Sequence, residues 1–131
     1  MNYLWILLLS LVLAGCSSPT QTPAPESEID TISLIQLIAE PEKYEGKIVR
    51  VHGFVHREFE SSSIYLHRED HEHGITSNAL WLSSGKCVSR GGKPFNTAYA
   101  LVEGRFTGAS HGHLGLWSGE IQDVQRCVEM P

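Results

Sequence analysis

The chain has 131 residues, of which 41% are hydrophobic and 19% charged, and its formal net charge is −5 with neutral histidines. This length suits one small folded domain and leaves no room for two. The acidic balance argues against holding a polyphosphate backbone, because nucleic-acid interfaces cluster their Lys and Arg, and the basic residues here are scattered.

An apolar segment covers residues 3–14, and the run Leu-Ala-Gly-Cys occupies residues 13–16. A short apolar segment that ends in small residues is typical of a secretory signal peptide and is too short to span a bilayer. The cysteine directly after Ala-Gly resembles the lipobox of bacterial lipoproteins, in which cleavage precedes an acylated cysteine. The resemblance implies a signal peptide over residues 1–15 and a lipid, such as palmitate, that anchors Cys16 to a membrane.

Three further features of the N-terminal 29 residues bear on the lipoprotein interpretation. Residues 1–5 contain neither Lys nor Arg, so only the α-amine is positive, and an uncleaved N-terminal anchor is the alternative. In a Gram-negative cell, Ser17 after the cysteine indicates sorting to the outer membrane, facing the periplasm. Residues 16–29 are rich in Ser, Thr and Pro without apolar periodicity, which predicts a flexible tether.

The folded domain is expected over residues 30–131. Ser33 and Gln36 form a capping-box pattern ahead of apolar residues at helical spacing, which predicts one short helix that ends before Pro41. Polar residues 68–74 predict one loose helical turn.

Apolar residues then recur with period two, which predicts strands. The first strand follows Lys47 and has Val49, Val51, Gly53 and Val55 on one face, with Phe54 as an exception. Further strands are predicted over residues 64–67, 79–82, 97–106 and 114–128, the last interrupted at Gly119 or Asp123.

Five strands with glycines inside the strands, at Gly53 and Gly104, predict bent strands that close a small barrel. The fold class is therefore mainly β, a five-stranded OB-fold-like Greek-key barrel with one short N-terminal helix; a plain meander sheet is the alternative. Four segments are similar to OB-fold domains of small bacterial lipoproteins, which are tRNA-anticodon-binding-like barrels. These segments are residues 37–55, 78–82, 102–106 and 112–119. The resemblance implies a fold and carries no site residue.

Of the three cysteines, Cys16 is the predicted lipidation site, which leaves one pair. In an oxidising compartment, Cys87 and Cys127 are expected to form a disulfide. The alternatives are a reactive thiol at Cys87, near Lys86 and Arg90, or two free cysteines.

Histidines and acidic residues cluster in two predicted loops. Imidazole and carboxylate groups bind zinc or copper, so a metal site is one interpretation. A solvated polar turn and a pH-responsive patch are the others. The candidate ligands are His67, His71, His73, His111 and His113.

A second candidate surface is the polar face of the first strand, with Arg50, His52 and His56, together with Trp117, which we expect to be partly exposed. Residues 108–112 match G-x-S-x-G, but the chain is too short and strand-rich for the hydrolase fold that the motif requires. We therefore expect a non-enzymatic module that binds a small ligand or an envelope protein. A metal-binding protein is the alternative, and single-strand nucleic-acid binding is disfavoured by the acidic charge.

Overall fold

A computed structural model describes residues 29–83 and 85–131. The predicted signal peptide, Cys16 and the tether up to residue 28 lie outside these residues. In this part of the chain, no helix is long and apolar enough to cross a membrane. The helices are α1 (Leu34–Ala39), α2 (Pro41–Tyr44) and α3 (Arg68–Glu72), with short 3₁₀ turns at Thr76–Asn78 and His113–Gly115. The strands are β1 (Ile48–Arg57), β2 (Ser62–Tyr65), β3 (Ala79–Leu82), β4 (Thr97–Thr107) and β5 (Glu120–Glu129).

The five strands close into a barrel in the order β1-β2-β3-β5-β4, and β4 returns to pair with β1. Every neighbouring pair is antiparallel except β3 and β5, which run parallel. Closure removes the free edges that an open sheet would expose. The prediction of a mainly β, five-stranded barrel is confirmed, and this strand order is compatible with an OB-like barrel.

The N-terminal helix forms as the capping pattern predicts. The Ser33 hydroxyl accepts the Ile35 N–H at 3.1 Å, and the Gln36 side chain accepts the Ser33 N–H at 3.2 Å. Pro41 ends α1 and then occupies the first position of α2, where its missing N–H costs nothing. The sequence analysis did not predict this second short helix. Leu34 and Leu37 bury the apolar face of α1 against the barrel core.

The barrel interior is filled by alternate residues of each strand, as period two requires. The mid-strand glycines permit close approach of neighbouring backbones. A Cβ at Gly53 would lie 2.6 Å from the Tyr65 carbonyl oxygen, and one at Gly104 would lie 2.7 Å from that of Gln122. Packing therefore requires glycine at both positions. The largest fully buried side chains in this core are Phe106, Leu34, Leu37, Ile64, Leu80 and Ile121.

Cys87 and Cys127 are joined in a disulfide, which confirms the predicted pair and leaves neither sulfur as a reactive thiol. Beside it, Val88 bridges Val128 in parallel, and its N–H donates to the Cys127 carbonyl at 3.0 Å. The β3–β4 connection thus pairs with the part of β5 that the four-residue β3 is too short to reach.

The largest differences from the predicted strand bounds are in β2 and β5. β2 begins and ends two residues earlier than expected, and β5 begins at Glu120 instead of residue 114. Residues ahead of β5 leave the sheet to form a loop with a 3₁₀ turn. The predicted interruption at Asp123 is confirmed, since its φ is +48° and the β4–β5 register shifts there, but pairing resumes and the strand continues.

Candidate functional site

A second apolar cluster lies on the outside of the barrel, on the face formed by β1, β2 and β3. Its buried members are Phe54, Tyr65, Ala79 and Trp117, with Trp81 packed against them. Phe54 pairs with Tyr65, and Tyr65 pairs with Ala79, so these three side chains lie in one row across the strands. Phe54 is only 2% exposed. Its break in the alternation of β1 therefore marks a covered outer face.

Trp117 contributes to the cover from the β4–β5 loop, which we define as residues 108–119. It meets the Trp81 ring edge-on, with ring centroids 4.7 Å apart and planes at 63°. Trp117 is 8% exposed, so the expectation that it is partly exposed is wrong. The reason is that its ring packs back onto the sheet. Within the described residues, its buried Nε1 has no hydrogen-bond partner.

Several polar contacts fix the β4–β5 loop, one within the loop and the others to neighbouring segments. The His111 Nδ1–H donates to the Trp117 carbonyl at 2.8 Å, and the Ser118 hydroxyl donates to the Ser77 carbonyl at 2.7 Å. The Ser110 hydroxyl donates to the Glu120 carboxylate. The G-x-S-x-G match therefore lies in a loop between two strands, and its serine is paired with a carboxylate. A hydrolase nucleophile requires a strand-turn-helix, which this loop is not.

Glu45, just after α2, holds the start of the same loop. Its carboxylate accepts the Gly108 N–H at 2.7 Å. Hydrogen bonds from the Thr107 hydroxyl, and then from the Gly108 N–H, lower the pKa of Glu45, because they stabilise the carboxylate form. The loop is thus attached at both ends and at its centre.

The tip of the loop presents apolar side chains to solvent. Leu114 is 78% exposed and Leu116 is 53% exposed. Leu114 also has φ +62° and ψ +8°, the left-handed conformation that a leucine rarely adopts. The sequence analysis missed both leucines. The glycines at positions 112 and 115 indicated a loop, but nothing in the pattern indicates which residue between them takes a positive φ.

α3 covers the other side of the outer cluster. The His71 ring stacks on the His56 ring, with centroids 3.9 Å apart and planes at 27°, and lies 5.2 Å from the Tyr65 ring. Asp70 fixes the helix by accepting the His67 N–H at 3.0 Å and the Asn78 side-chain N–H at 2.8 Å. Burial lowers the pKa of His71, and the charge of a protonated His56 lowers it further.

The predicted ligand face of β1 divides into two environments. Arg50 donates through Nε to the Glu103 carboxylate at 2.7 Å, and Arg126 donates to the same oxygen at 3.3 Å. His52 is exposed, whereas His56 lies in the aromatic cluster with its Nε2 3.2 Å from Glu58. The structure therefore places His56 against His71 and engages Arg50 in an ion pair.

The five candidate metal ligands have different surroundings. His71 is stacked and His111 is hydrogen-bonded, while His67, His73 and His113 are exposed. Over residues 29–83 and 85–131, no three His, Cys, Asp or Glu side chains are grouped as ligands for a metal ion. The zinc or copper interpretation stays a prediction.

Comparisons with protein-family models, with curated proteins and with solved structures found no match to this chain. The geometry of the outer face and of the β4–β5 loop is therefore the basis for a proposed function.

Proposed function

We propose that this chain is a non-enzymatic binding module of the bacterial cell envelope, with an OB-like barrel that presents the β4–β5 loop to an envelope protein. A lipid on Cys16 anchors the module to the membrane, and residues 16–29 connect the lipid to the barrel. The Leu-Ala-Gly-Cys run at residues 13–16 supports the anchor. The geometry of the loop supports the binding surface.

The observation that carries the proposal is the conformation of Leu114. A left-handed leucine costs about 1–2 kcal/mol relative to its relaxed backbone. Backbone strain of this kind persists only where the surroundings impose it, and it concentrates at functional sites. Here the strained residue buries little, since its side chain is 78% exposed. Burial within the barrel therefore does not explain a leucine at this strained position, and burial of the side chain against a partner does.

The attachment of the loop supports the same role. Hydrogen bonds at Gly108, His111 and Ser118 hold the loop in one arrangement before any partner arrives. A preorganised loop loses less conformational entropy on binding than a loose one. Leu114 and Leu116 then provide apolar side chains of the type that an acceptor pocket on another protein can bury.

The binding surface is tested by crosslinking the full-length protein in cells and identifying what it captures by mass spectrometry. We compare the wild type with Leu114→Ser and with the matched control Ile35→Ser, which removes another exposed apolar side chain, on α1. The proposal expects one dominant envelope protein with the wild type and the control, and loss of most of that capture with Leu114→Ser. Equal capture by all three proteins would place the surface elsewhere.

The anchor is tested separately by metabolic labelling with palmitate. The wild type should incorporate label and fractionate with membranes, because acylation requires the thiol of Cys16. Cys16→Ser should incorporate none, whereas Cys87→Ser, which removes a different cysteine, should label normally. Equal labelling of the wild type and Cys16→Ser would contradict lipidation at Cys16.

A further inference from the structure

We propose that one end of the barrel docks on the surface of an anionic phospholipid bilayer. This end, which we call the basal end, consists of the β1–β2 turn at residues 57–61 and the β3–β4 connection at residues 85–96. The two segments are adjacent, because the Arg57 N–H donates to the Asn96 carbonyl at 2.8 Å. Docking of the basal end rests on the proposed membrane anchor, and it uses neither the β4–β5 loop nor the aromatic outer face.

The β1–β2 turn presents a phenylalanine ring to solvent. Phe59 is fully exposed at the tip of the turn. The turn is closed on both sides, since the Glu58 N–H donates to the Ser61 carbonyl at 2.7 Å and the Ser61 N–H donates to the Glu58 carbonyl at 3.4 Å. Two-residue turns of this kind favour Asn, Asp and Gly, so the turn itself does not explain a phenylalanine. The headgroup region of a bilayer buries such a ring against acyl chains.

The β3–β4 connection supplies positive charge. Over residues 85–96 it has three cations and no carboxylate. The cations are Lys86, Arg90 and Lys93, and all three side chains are exposed. Within the part of the chain that the structure describes, none of them forms an ion pair. Their charges are therefore not used inside the barrel.

The β3–β4 connection is held in one arrangement. The disulfide fixes its base, together with Phe95, whose side chain packs against the barrel core. At its tip, the Ser89 carbonyl accepts the Gly92 N–H at 2.8 Å, and the Ser89 N–H donates to the Lys93 carbonyl at 2.7 Å. The backbone that carries Arg90 and Lys93 is thus ordered before any contact, so docking costs only side-chain entropy.

The basal end is positive although the chain is acidic. Four cations, Arg57 and the three of the β3–β4 connection, face two carboxylates, Glu58 and Glu60, which leaves a charge of +2 in a chain of net charge −5. The two carboxylates flank Phe59 and oppose docking, but the cations outnumber them. Charges farther than about 10 Å from the lipid are largely screened at 0.1 M salt. An anionic surface therefore attracts this end more than the rest of the barrel.

A bilayer is the one occupant that uses both features. A soluble phosphate would contact the cations and leave Phe59 in water, whereas an apolar pocket would bury Phe59 and leave the cations unused. Each cation near an anionic bilayer strengthens binding only about fivefold. The proposed anchor makes such weak contacts effective, because residues 16–29 can span at most about 50 Å and keep the barrel close to the lipid.

Docking at the basal end also sets the direction of the β4–β5 loop. The basal end precedes β4, which begins at Thr97, and the loop follows the last residue of β4, Thr107. An 11-residue strand is roughly 35 Å long, so the two segments leave the sheet far apart. A docked barrel therefore presents the loop away from the lipid, where an envelope protein can reach it.

The test measures how close each backbone amide lies to lipid headgroups. The full-length wild type is incorporated into nanodiscs with a paramagnetic headgroup label, made of phosphatidylcholine alone or of equal parts phosphatidylcholine and phosphatidylglycerol. On the anionic nanodiscs, loss of ¹H–¹⁵N signal should concentrate in residues 57–61 and 85–96 and spare residues 112–116 of the loop. On phosphatidylcholine alone, the ratio of docked to undocked protein should be more than about tenfold lower.

Variants separate the two features. Arg90→Gln combined with Lys93→Gln should lower the ratio of docked to undocked protein about 25-fold on anionic nanodiscs. Phe59→Ser should lower it about tenfold, because the ring is no longer buried in lipid. The matched control combines Lys43→Gln with Lys47→Gln, which removes two exposed cations ahead of β1, and should keep the wild-type pattern.

The outcomes distinguish docking from anchoring. If the protein co-elutes with anionic nanodiscs but loses signal evenly at both ends, the anchor stands and docking at the basal end is overturned. Equal effects of the two double variants would overturn it as well. If the wild type co-elutes with nanodiscs of neither composition, the anchor is contradicted, and docking, which depends on it, falls too.

Discussion

Leu114 combines two properties that seldom occur together, because its backbone is left-handed and its side chain is exposed. Glycine adopts this backbone at little cost, yet the chain has leucine at this position. The side chain therefore opposes folding here, and the benefit that we propose for it is burial against a partner.

The first prediction concerns this strain. Leu114→Gly should raise the free energy of unfolding by about 0.5–1 kcal/mol, since relief of the left-handed strain exceeds the added flexibility of glycine. Leu116→Gly, in the same loop but with a right-handed helical backbone, should lower it by about the same amount. Urea unfolding of both variants measures the two signs. A loss of stability in both would mean that Leu114 is not strained.

The second prediction concerns Glu45, which accepts hydrogen bonds at the start of the β4–β5 loop. Because its pKa is lowered in the folded state, its contribution is present above about pH 4.3, the ordinary value for glutamate, and is lost as pH falls through the folded pKa. Glu45→Gln should therefore lower Tm at pH 6, and the difference from wild type should shrink towards pH 3. Thermal unfolding across this range measures it, with the exposed Glu42→Gln as control. A constant difference would rule out the carboxylate as its origin.

Among the elements, α3 depends most on its anchoring side chain. Asp70 is buried and accepts hydrogen bonds from the His67 N–H and the Asn78 side chain. Among the described residues, these two donors have no other acceptor. The sequence predicted one loose helical turn at this place, and the helix does form. The acidic and histidine-rich composition gave no sign that one face of it would dock on aromatic rings.

The third prediction is that Asp70→Ala undocks α3. Removing the acceptor leaves two donors in a partly buried site unsatisfied, which costs about 1–3 kcal/mol. Because α3 is a short peripheral element, we expect the loss as faster hydrogen exchange in residues 68–78 with a smaller change in global unfolding. The neighbouring and exposed Glu69→Ala should stay within about 0.5 kcal/mol of wild type. Equal effects of the two substitutions would show that Asp70 is not the anchor.

For the whole molecule, closure of the barrel depends on segments that are not its five strands. β2 and β3 have four residues each, whereas β1, β4 and β5 have 10, 11 and 10. The short strands leave parts of the long ones unpaired. Ahead of α1, the Ile32 N–H donates to the Arg50 carbonyl at 2.7 Å, and Val88 pairs with Val128. Both gaps are thereby filled, the second of them beside the disulfide.

The fourth prediction follows from this arrangement. Cys87 and Cys127 are 40 residues apart in the sequence. Breaking a disulfide that closes a loop of this length lowers the free energy of unfolding by up to about 4 kcal/mol, because the unfolded chain regains conformational entropy. The double substitution Cys87→Ser and Cys127→Ser should lower the free energy of unfolding by about 2–4 kcal/mol, and reduction of the wild type should have the same effect. Urea unfolding measures both. If neither the double variant nor the reduced wild type were less stable, the backbone pairing of residues 87–95 would hold this segment against β5 without the disulfide.

The sequence by itself determined the barrel. Period two is a local property of a strand with one buried face, and Val49, Val51 and Val55 follow it. The capping box at Ser33 and Gln36 is also local, so α1 was predictable down to its cap. The cysteine pair followed from counting, since only two cysteines remained after the predicted lipid site.

Only the tertiary structure decided the outer face. Phe54 violates the alternation of its strand because residues far away in the sequence, His71 and Trp117, cover it from above. The position of the β4–β5 loop is likewise set by distant residues, since Gly112 packs against Trp81 and the Gly108 N–H donates to Glu45. Periodicity records which side of an element is buried by its own sheet. It contains no information on which distant loop returns to bury the other side, because that depends on how the whole chain closes.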